Sequence, residues 1–202
     1  MKRFSLHALL SLFLALSFAA CDSADDGDGD GNGGGNVDSG EFAVDFGGGL
    51  DGSFEGNAYF AVVEDDDYPG GRAFVLFMTD SDLTSGQTQS TQYIAFVRIG
   101  DRPGTGTYNL ADAQGEDPTD TEGVTYGIYI NSSGQTSGTF LASQSGTLTI
   151  SESSSDEVSG SFDFEGIGFD SSNPNEQIMA TLSGSFSANA ISDDIIIVPD
   201  TP

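Results

Sequence analysis

The sequence predicts an all-β protein, an antiparallel β-sandwich or barrel of about nine or ten strands. Three observations lead to this prediction. Apolar and polar residues alternate with a period of two over much of the chain after residue 41, and no convincing amphipathic helix interrupts them. Clusters of Gly, Pro, Asp, Asn and Ser separate these stretches at short intervals. The composition, with 28 Gly, 15 Phe and no Trp, favours short strands joined by turns.

The first element of the chain, residues 1–20, has the pattern of a secretory signal peptide. Lys2 and Arg3 give it a basic start, an apolar run follows, and the small residues Ala19 and Ala20 end it. The apolar run is too short for a comfortable membrane span. We therefore expect residues 1–20 to be removed from the mature protein.

Cys21 is the only cysteine of the chain, so a disulfide within the chain has no second partner. A catalytic thiolate needs a nearby base or cation, yet no His follows Cys21 and aspartates surround it. The segment "SFAAC" resembles the bacterial lipoprotein signal. That resemblance implies a diacylglyceryl group on the Cys21 thiol, cleavage between Ala20 and Cys21, and acylation of the new amine, with palmitate among the expected acyl groups. We expect a lipid-anchored protein of the cell envelope, at the outer membrane or cell surface.

Residues 21–40 are rich in Asp and Gly and nearly free of apolar side chains, which predicts a disordered tether. Asp26, Asp28 and Asp30, followed by a glycine, match the opening of an EF-hand calcium loop. The twelfth position, which should hold a bidentate Glu, is Val37. A solvated spacer is therefore favoured over a calcium site.

The predicted domain covers residues 41–198, and residues 199–202 form a C-terminal tail. Two segments, 73–78 and 93–99, are nearly continuous apolar runs, which is typical of central strands covered on both faces. The last two segments alternate, with an apolar face that includes Phe162 and Phe164 in the first and Leu182 and Phe186 in the second, and a polar face opposite. The predicted strands are 42–46, 53–63, 73–78, 93–99, 106–110, 124–131, 138–142, 146–151, 157–169 and 177–188.

Four short motifs of the domain follow one another in a familiar order: "GTYNL" (106–110), "GTLTI" (146–150), "SGSFDFEG" (159–166) and "ATLSGSFSA" (180–188). The order resembles that of small Gram-negative lipoproteins with a β-rich domain of unknown function. The resemblance covers residues 104–188. It implies an all-β fold and a surface location, and it carries over no catalytic residue.

The charge of the chain is extremely acidic, with 32 Asp and Glu against 5 Lys and Arg. After Cys21 the only basic residues are Arg72, Arg98 and Arg102. Such a chain repels phosphate backbones, so nucleic acid is excluded as a partner. Adaptation to high salt and specific binding of cations both remain as explanations of the charge.

Two acidic loops are candidate sites for calcium, which takes six to eight oxygen ligands. The alternative for both loops is a solvated, salt-tolerant turn. The first loop offers Glu64, Asp65, Asp66 and Asp67; the second offers Asp112, Glu116, Asp117, Asp120 and Glu122. The nearby Tyr68, Tyr126 and Tyr129 either line a ligand surface or pack within the fold.

We expect no catalytic residue. Without His, Lys or a second Cys after the signal, a Ser-His-Asp triad and a Cys/His zinc site are impossible. The expected function is that of a non-catalytic envelope lipoprotein whose acidic β-domain has a binding or structural role. The expected partners are the membrane, through the lipid anchor, and an envelope protein or glycan. The alternatives are a glycan- or peptide-capture module serving an envelope transporter and a hydrolase that uses two carboxylates.

Overall fold

The computed structural model describes residues 37–64, 68–83, 92–113, 121–132 and 138–191. These residues form an all-β structure with one short 3₁₀ turn, Pro69–Gly71. The strands are β1 (Glu41–Gly48), β2 (Gly52–Glu64), β3 (Arg72–Thr79), β4 (Gln92–Ile99), β5 (Gly106–Asn109), β6 (Thr125–Ser132), β7 (Gly138–Ser153), β8 (Glu157–Asp170) and β9 (Gln177–Ala190).

Eight of the strands close into an antiparallel β-barrel, which decides between the two predicted architectures. The order around the barrel is β1-β2-β3-β4-β6-β7-β8-β9, and β9 pairs with β1 to complete the ring. β5 lies outside this order and pairs with the last part of β7, beyond the point where β6 leaves it. The closure removes most of the exposed strand edges that an open sheet would present.

Neighbouring strands run in opposite directions, so the connections between them alternate between the two ends of the barrel. We call one of them the arginine end, since it carries Arg72, Arg98 and Arg102 as well as the β7–β8 turn. The opposite end carries the β1–β2 and β8–β9 turns. β1 starts short of the arginine end, and beyond its start β2 pairs directly with β9.

The inward-facing residues of the barrel form one apolar core, as the period-two pattern predicted. The alternation predicted for β8 and β9 is confirmed for the residues that form the core, which are Val158, Phe162 and Phe164 of β8 and Ala180, Leu182 and Phe186 of β9. The largest fully buried side chains of this core are Phe42, Phe74, Leu76, Met78, Ile94, Phe96, Tyr129, Leu141, Phe164 and Phe186.

The prediction that two apolar segments are covered on both faces is also confirmed. β3 and β4 have buried residues at almost every position. Their outward-facing side chains join those of β6 and β7 in two further apolar clusters on the outer wall. These clusters contain Ala73, Phe77, Tyr93, Ala95, Val97, Ile99, Ala113, Tyr126, Ile128 and Ala142, with Tyr68 and Leu83 packed against them.

Residues 138–142 and 146–151 were predicted as two separate strands. This prediction is wrong, because both segments belong to the single strand β7. A register shift between Ser143 and Ser145 marks an irregularity within it. Gly146 follows with φ of 135°, a conformation that other residues rarely adopt. The glycine therefore bends the strand where a turn was expected, and the sheet continues through it.

Candidate functional site

The interior of the barrel is occupied by side chains. The ring of Phe96 lies 5.0 Å from that of Phe162 and 6.1 Å from that of Phe164, measured between centroids. Such contacts fill the space that a ligand would need in a barrel of eight strands. In the described part of the protein, the surfaces available for binding a partner are therefore the two ends of the barrel and its outer wall.

Most of the residues predicted from the sequence as sites lie outside the described residues. The acidic candidates that the structure does describe are Glu64, Asp112 and Glu122. Those outside are Cys21, Asp26, Asp28, Asp30, Asp65, Asp66, Asp67, Glu116, Asp117 and Asp120.

Glu64 contacts an arginine in the structure. Its Oε1 lies 3.6 Å from Nη2 of Arg72, and Nη1 of Arg72 donates a hydrogen bond of 2.7 Å to Asp101. The hydrogen bond and charge of Asp101, with the charge of Glu64, raise the pKa of the Arg72 guanidinium. All three side chains are largely exposed, so the ion pairs contribute little to stability.

Glu122 lies close to the first acidic loop. A Cβ atom placed on Gly100 would be 3.4 Å from Cγ of Glu122, and one on Gly70 would be 3.9 Å from its Cδ. The structure thus brings Glu64 and Glu122 to the arginine end. Asp112 lies instead along the outer wall of β6 and β7, between Ala111, which hydrogen-bonds to Thr125, and Ala113, which hydrogen-bonds to Ser143. Among the described residues, however, no group of three or more His, Cys, Asp or Glu side chains is arranged to hold a metal ion.

The remaining two arginines close the arginine end of the core, a role that the sequence analysis missed. The guanidinium of Arg98 lies 4.6 Å from the centroid of the Tyr108 ring. It also donates hydrogen bonds to the Gly123 carbonyl and, at 3.1 Å, to Oγ1 of Thr125. Arg98 thus joins β4 to the segment before β6 and to β5.

Arg102 crosses the arginine end from the loop after β4. Its guanidinium lies 5.9 Å from the centroid of the Phe60 ring and donates to the Ser154 carbonyl in the β7–β8 turn. The three basic residues after Cys21 are thus all placed in intramolecular contacts at one end. Basic residues are so scarce after Cys21 that this scarcity could have marked the three arginines as structurally important.

Three tyrosines were predicted either to line a ligand surface or to pack within the fold. Those that are buried in the structure are packing residues. Tyr126 is fully buried in an outer cluster, against which Tyr68 packs, whereas Tyr129 lies in the barrel core. Burial raises the pKa of the Tyr129 hydroxyl, which also accepts a hydrogen bond of 3.1 Å from Nε2 of Gln92. Tyr126 and Tyr129 therefore offer no ligand surface.

The outer wall of β1, β8 and β9 is polar, in contrast to that of β3 and β4. Serines alternate along it with carboxylates such as Asp45 and Asp163, which both face Ser183 in neighbouring strands. A depression of about 310 Å³ opens in this wall, lined in part by Asp163 and Glu165. Ser145 donates a hydrogen bond to Glu165 there.

An apolar patch interrupts the polar wall near the opposite end of the barrel. It consists of Phe140 on β7, Ile167 and Phe169 on β8, and Met179 on β9, and we call it the Phe169–Met179 patch. Phe169 is 44% exposed and Met179 is 60% exposed. The rings of Phe140 and Phe169 are 5.9 Å apart, and a depression of about 220 Å³ lies beside Phe169.

This patch was not predicted, although the sequence of β8 contains a pattern that indicates it. Along β8 the apolar side chains occupy even positions up to Phe164, and the odd positions up to Glu165 are polar. At Ile167 and Phe169 the apolar side chains move to the odd positions, with glycines inside. A change of phase without a break in the strand puts apolar side chains on the solvent face.

The fold and its surfaces define a small acidic β-barrel with a filled interior and an outer wall that is part polar and part apolar. No protein-family model matches the chain, and the searches of curated proteins and of solved structures find no significant match. In the part of the chain that the structure describes, no helix is long and apolar enough to cross a membrane.

Proposed function

We propose that this protein is a lipid-anchored component of the cell envelope that displays an acidic β-barrel in a non-catalytic binding or structural role. The observation that carries the proposal is the filled interior of the barrel, which leaves the outer wall and the ends for recognition. The display of that outer surface, rather than enclosure of a small ligand, is the role that this architecture serves best.

The N-terminal sequence supports the anchored location. The basic start, the apolar run and the "AAC" ending of residues 1–21 match a lipoprotein signal, and the acidic spacer leads to the first strand at Glu41. Two or more acyl chains anchor a protein stably, since each buried methylene contributes about 0.8 kcal/mol. β1 runs from Glu41 toward the end of the barrel that carries the apolar patch, so a tether that precedes Glu41 would meet the barrel before that end.

Incorporation of labelled palmitate into the protein tests this proposal. Cells that produce the chain with Cys21 should label it, whereas Cys21→Ala should abolish the label because the acyl-accepting thiol and the lipoprotein cleavage signal are both lost. Ser23→Ala is the matched control and should label normally. Equal labelling of the Cys21→Ala protein, or none in the unaltered chain, would refute lipid anchoring.

A further inference from the structure

The Phe169–Met179 patch is the most exposed group of large apolar side chains on the outer wall of β8 and β9. All its members point outward from three neighbouring strands, because Phe140 pairs with Phe169 and Ile167 pairs with Met179. Ile167, between them, is 7% exposed, whereas Phe169 and Met179 at the margins are open to solvent. On its Phe140 side the patch adjoins the apolar cluster on the outer wall of β6 and β7, and on the β8–β9 side its neighbours are polar. Exposed apolar side chains bordered by polar ones are the composition of an interaction surface.

Two carboxylates flank the patch on the β8–β9 side. Glu165, two residues before Ile167 on the same face, accepts a hydrogen bond from Ser145. Asp170 lies on the opposite face of β8 from Phe169, where it pairs with Thr139, so it does not belong to this flank.

The turn between β8 and β9 completes this arrangement. Glu176 accepts a hydrogen bond of 2.6 Å from Nδ2 of Asn173 and lines the depression beside Phe169. The three basic residues after Cys21 all lie at the arginine end, so no positive charge lies beside Glu165 and Glu176.

We propose that the Phe169–Met179 patch docks a protein segment that presents apolar side chains flanked by lysine or arginine. Carboxylates beside an apolar centre are complementary to that chemistry. A second copy would bring the same carboxylates against each other, and an anionic lipid surface would be repelled. The inference rests on the binding role proposed for the domain and is independent of the lipid anchor.

Oxidation of methionine by hydrogen peroxide, followed by mass spectrometry of the full chain, provides the test. Met179 is 60% exposed and should oxidise readily, whereas Met78 is fully buried and serves as the internal control. The probe is a synthetic peptide of alternating lysine and valine. It should protect Met179 from oxidation, while a peptide of alternating lysine and serine, with the same charge, should leave Met179 reactive.

Two variants locate the binding and keep the test falsifiable. Phe169→Ser should raise the Kd of the lysine–valine peptide by at least about tenfold, the loss expected for one large apolar contact. Val63→Ser is the matched control, because Val63 is 42% exposed at the arginine end, and it should leave the Kd unchanged. Equal effects of the two variants, or equal protection by both peptides, would overturn the proposal.

The competing occupants give different results in the same assay. Protection of Met179 that grows with protein concentration in the absence of peptide would assign the patch to a second copy and overturn the proposal. Protection on incorporation into phosphatidylcholine vesicles without peptide would assign it to the lipid surface and also overturn the proposal. A negative result in any of these oxidation or binding experiments does not change palmitate labelling of Cys21. Failure of the docking proposal can therefore be distinguished from failure of the proposed lipid anchor.

Discussion

Single glycines determine how closely β8 approaches β7. A Cβ atom on Gly160 would collide with the carbonyl oxygen of Thr149, and one on Gly168 would collide with that of Phe140. Neither glycine has a positive φ, so close backbone contact is what requires them. Glycines within strands often mark bulges or sharp bends, and Gly160 faces Ile150 beside a register shift of β7.

Gly160→Ala should therefore destabilise the barrel by about 1–3 kcal/mol, the usual cost of forcing extra atoms into a packed site. Urea unfolding followed by circular dichroism measures the change. Gly104→Ala is the matched control, since a Cβ there would meet nothing within 4 Å. Equal midpoints for the two variants would contradict the close approach of β7 and β8.

At the scale of elements, the barrel depends on a junction where β7 changes partners. The hydroxyl of Ser143 donates a hydrogen bond of 2.7 Å to the Ala111 carbonyl and accepts one of 3.1 Å from the Gly127 N–H. Ser143 is completely buried. It thereby joins β7 to both β6 and the segment after β5, at the position of the register shift.

Ser143→Ala should cost about 1–3 kcal/mol, because it leaves the buried Gly127 N–H and the partly buried Ala111 carbonyl without this partner. Hydrogen exchange should also show faster exchange at the Gly127 amide than in the unaltered chain. The control is Ser151→Ala, whose hydroxyl donates to the Ser159 carbonyl on the exposed surface. A change of stability no larger than that of the control would show that the junction does not depend on Ser143.

The strands could be predicted from the sequence because their signals are local. Period-two patterns and turn clusters located β1, β2, β8 and β9, and continuous apolar runs identified β3 and β4 as covered on both faces. Closure of the barrel was beyond prediction, because it depends on pairing β9 with β1, which are far apart in the sequence. The one strand miscounted was β7, where Gly146 bends the chain without ending it.

The candidate surfaces were predictable only in part. The two acidic loops were identified by composition, but only the structure places Glu64 and Glu122 near the same end and Glu64 against Arg72. The apolar patch depends on which side chains of three strands become neighbours, and that follows from register. The change of phase at Ile167 marks the patch in the sequence, but only once the inward face of β8 is known.

For the whole molecule, the main destabilising feature is its net negative charge, with 32 acidic residues against 5 basic ones. Mutual repulsion of the carboxylates opposes the compact state and is screened by salt. Among the described acidic residues at the arginine end, Glu64 and Asp101 contact Arg72, and Glu157 accepts a hydrogen bond from Ser187. Screening by general salt is therefore the dominant way in which ions should stabilise the fold.

Thermal unfolding should reflect this screening. Raising sodium chloride should increase the Tm, and calcium chloride at the same ionic strength should raise it by a similar amount. The Glu64→Gln variant should show the same calcium response as the unaltered chain. A calcium-induced increase of Tm well beyond that of matched ionic strength, reduced in Glu64→Gln, would instead establish a specific site in the first acidic loop.

The central proposal, a β-barrel displayed from a lipid anchor, is tested most directly by the intact mass of the mature protein extracted from membranes. The predicted mass is that of a chain beginning at Cys21 with a diacylglyceryl group and an N-acyl chain added, and fragmentation should place both on Cys21. A chain that begins at any other residue, or one with an unmodified Cys21 thiol, would contradict the proposal.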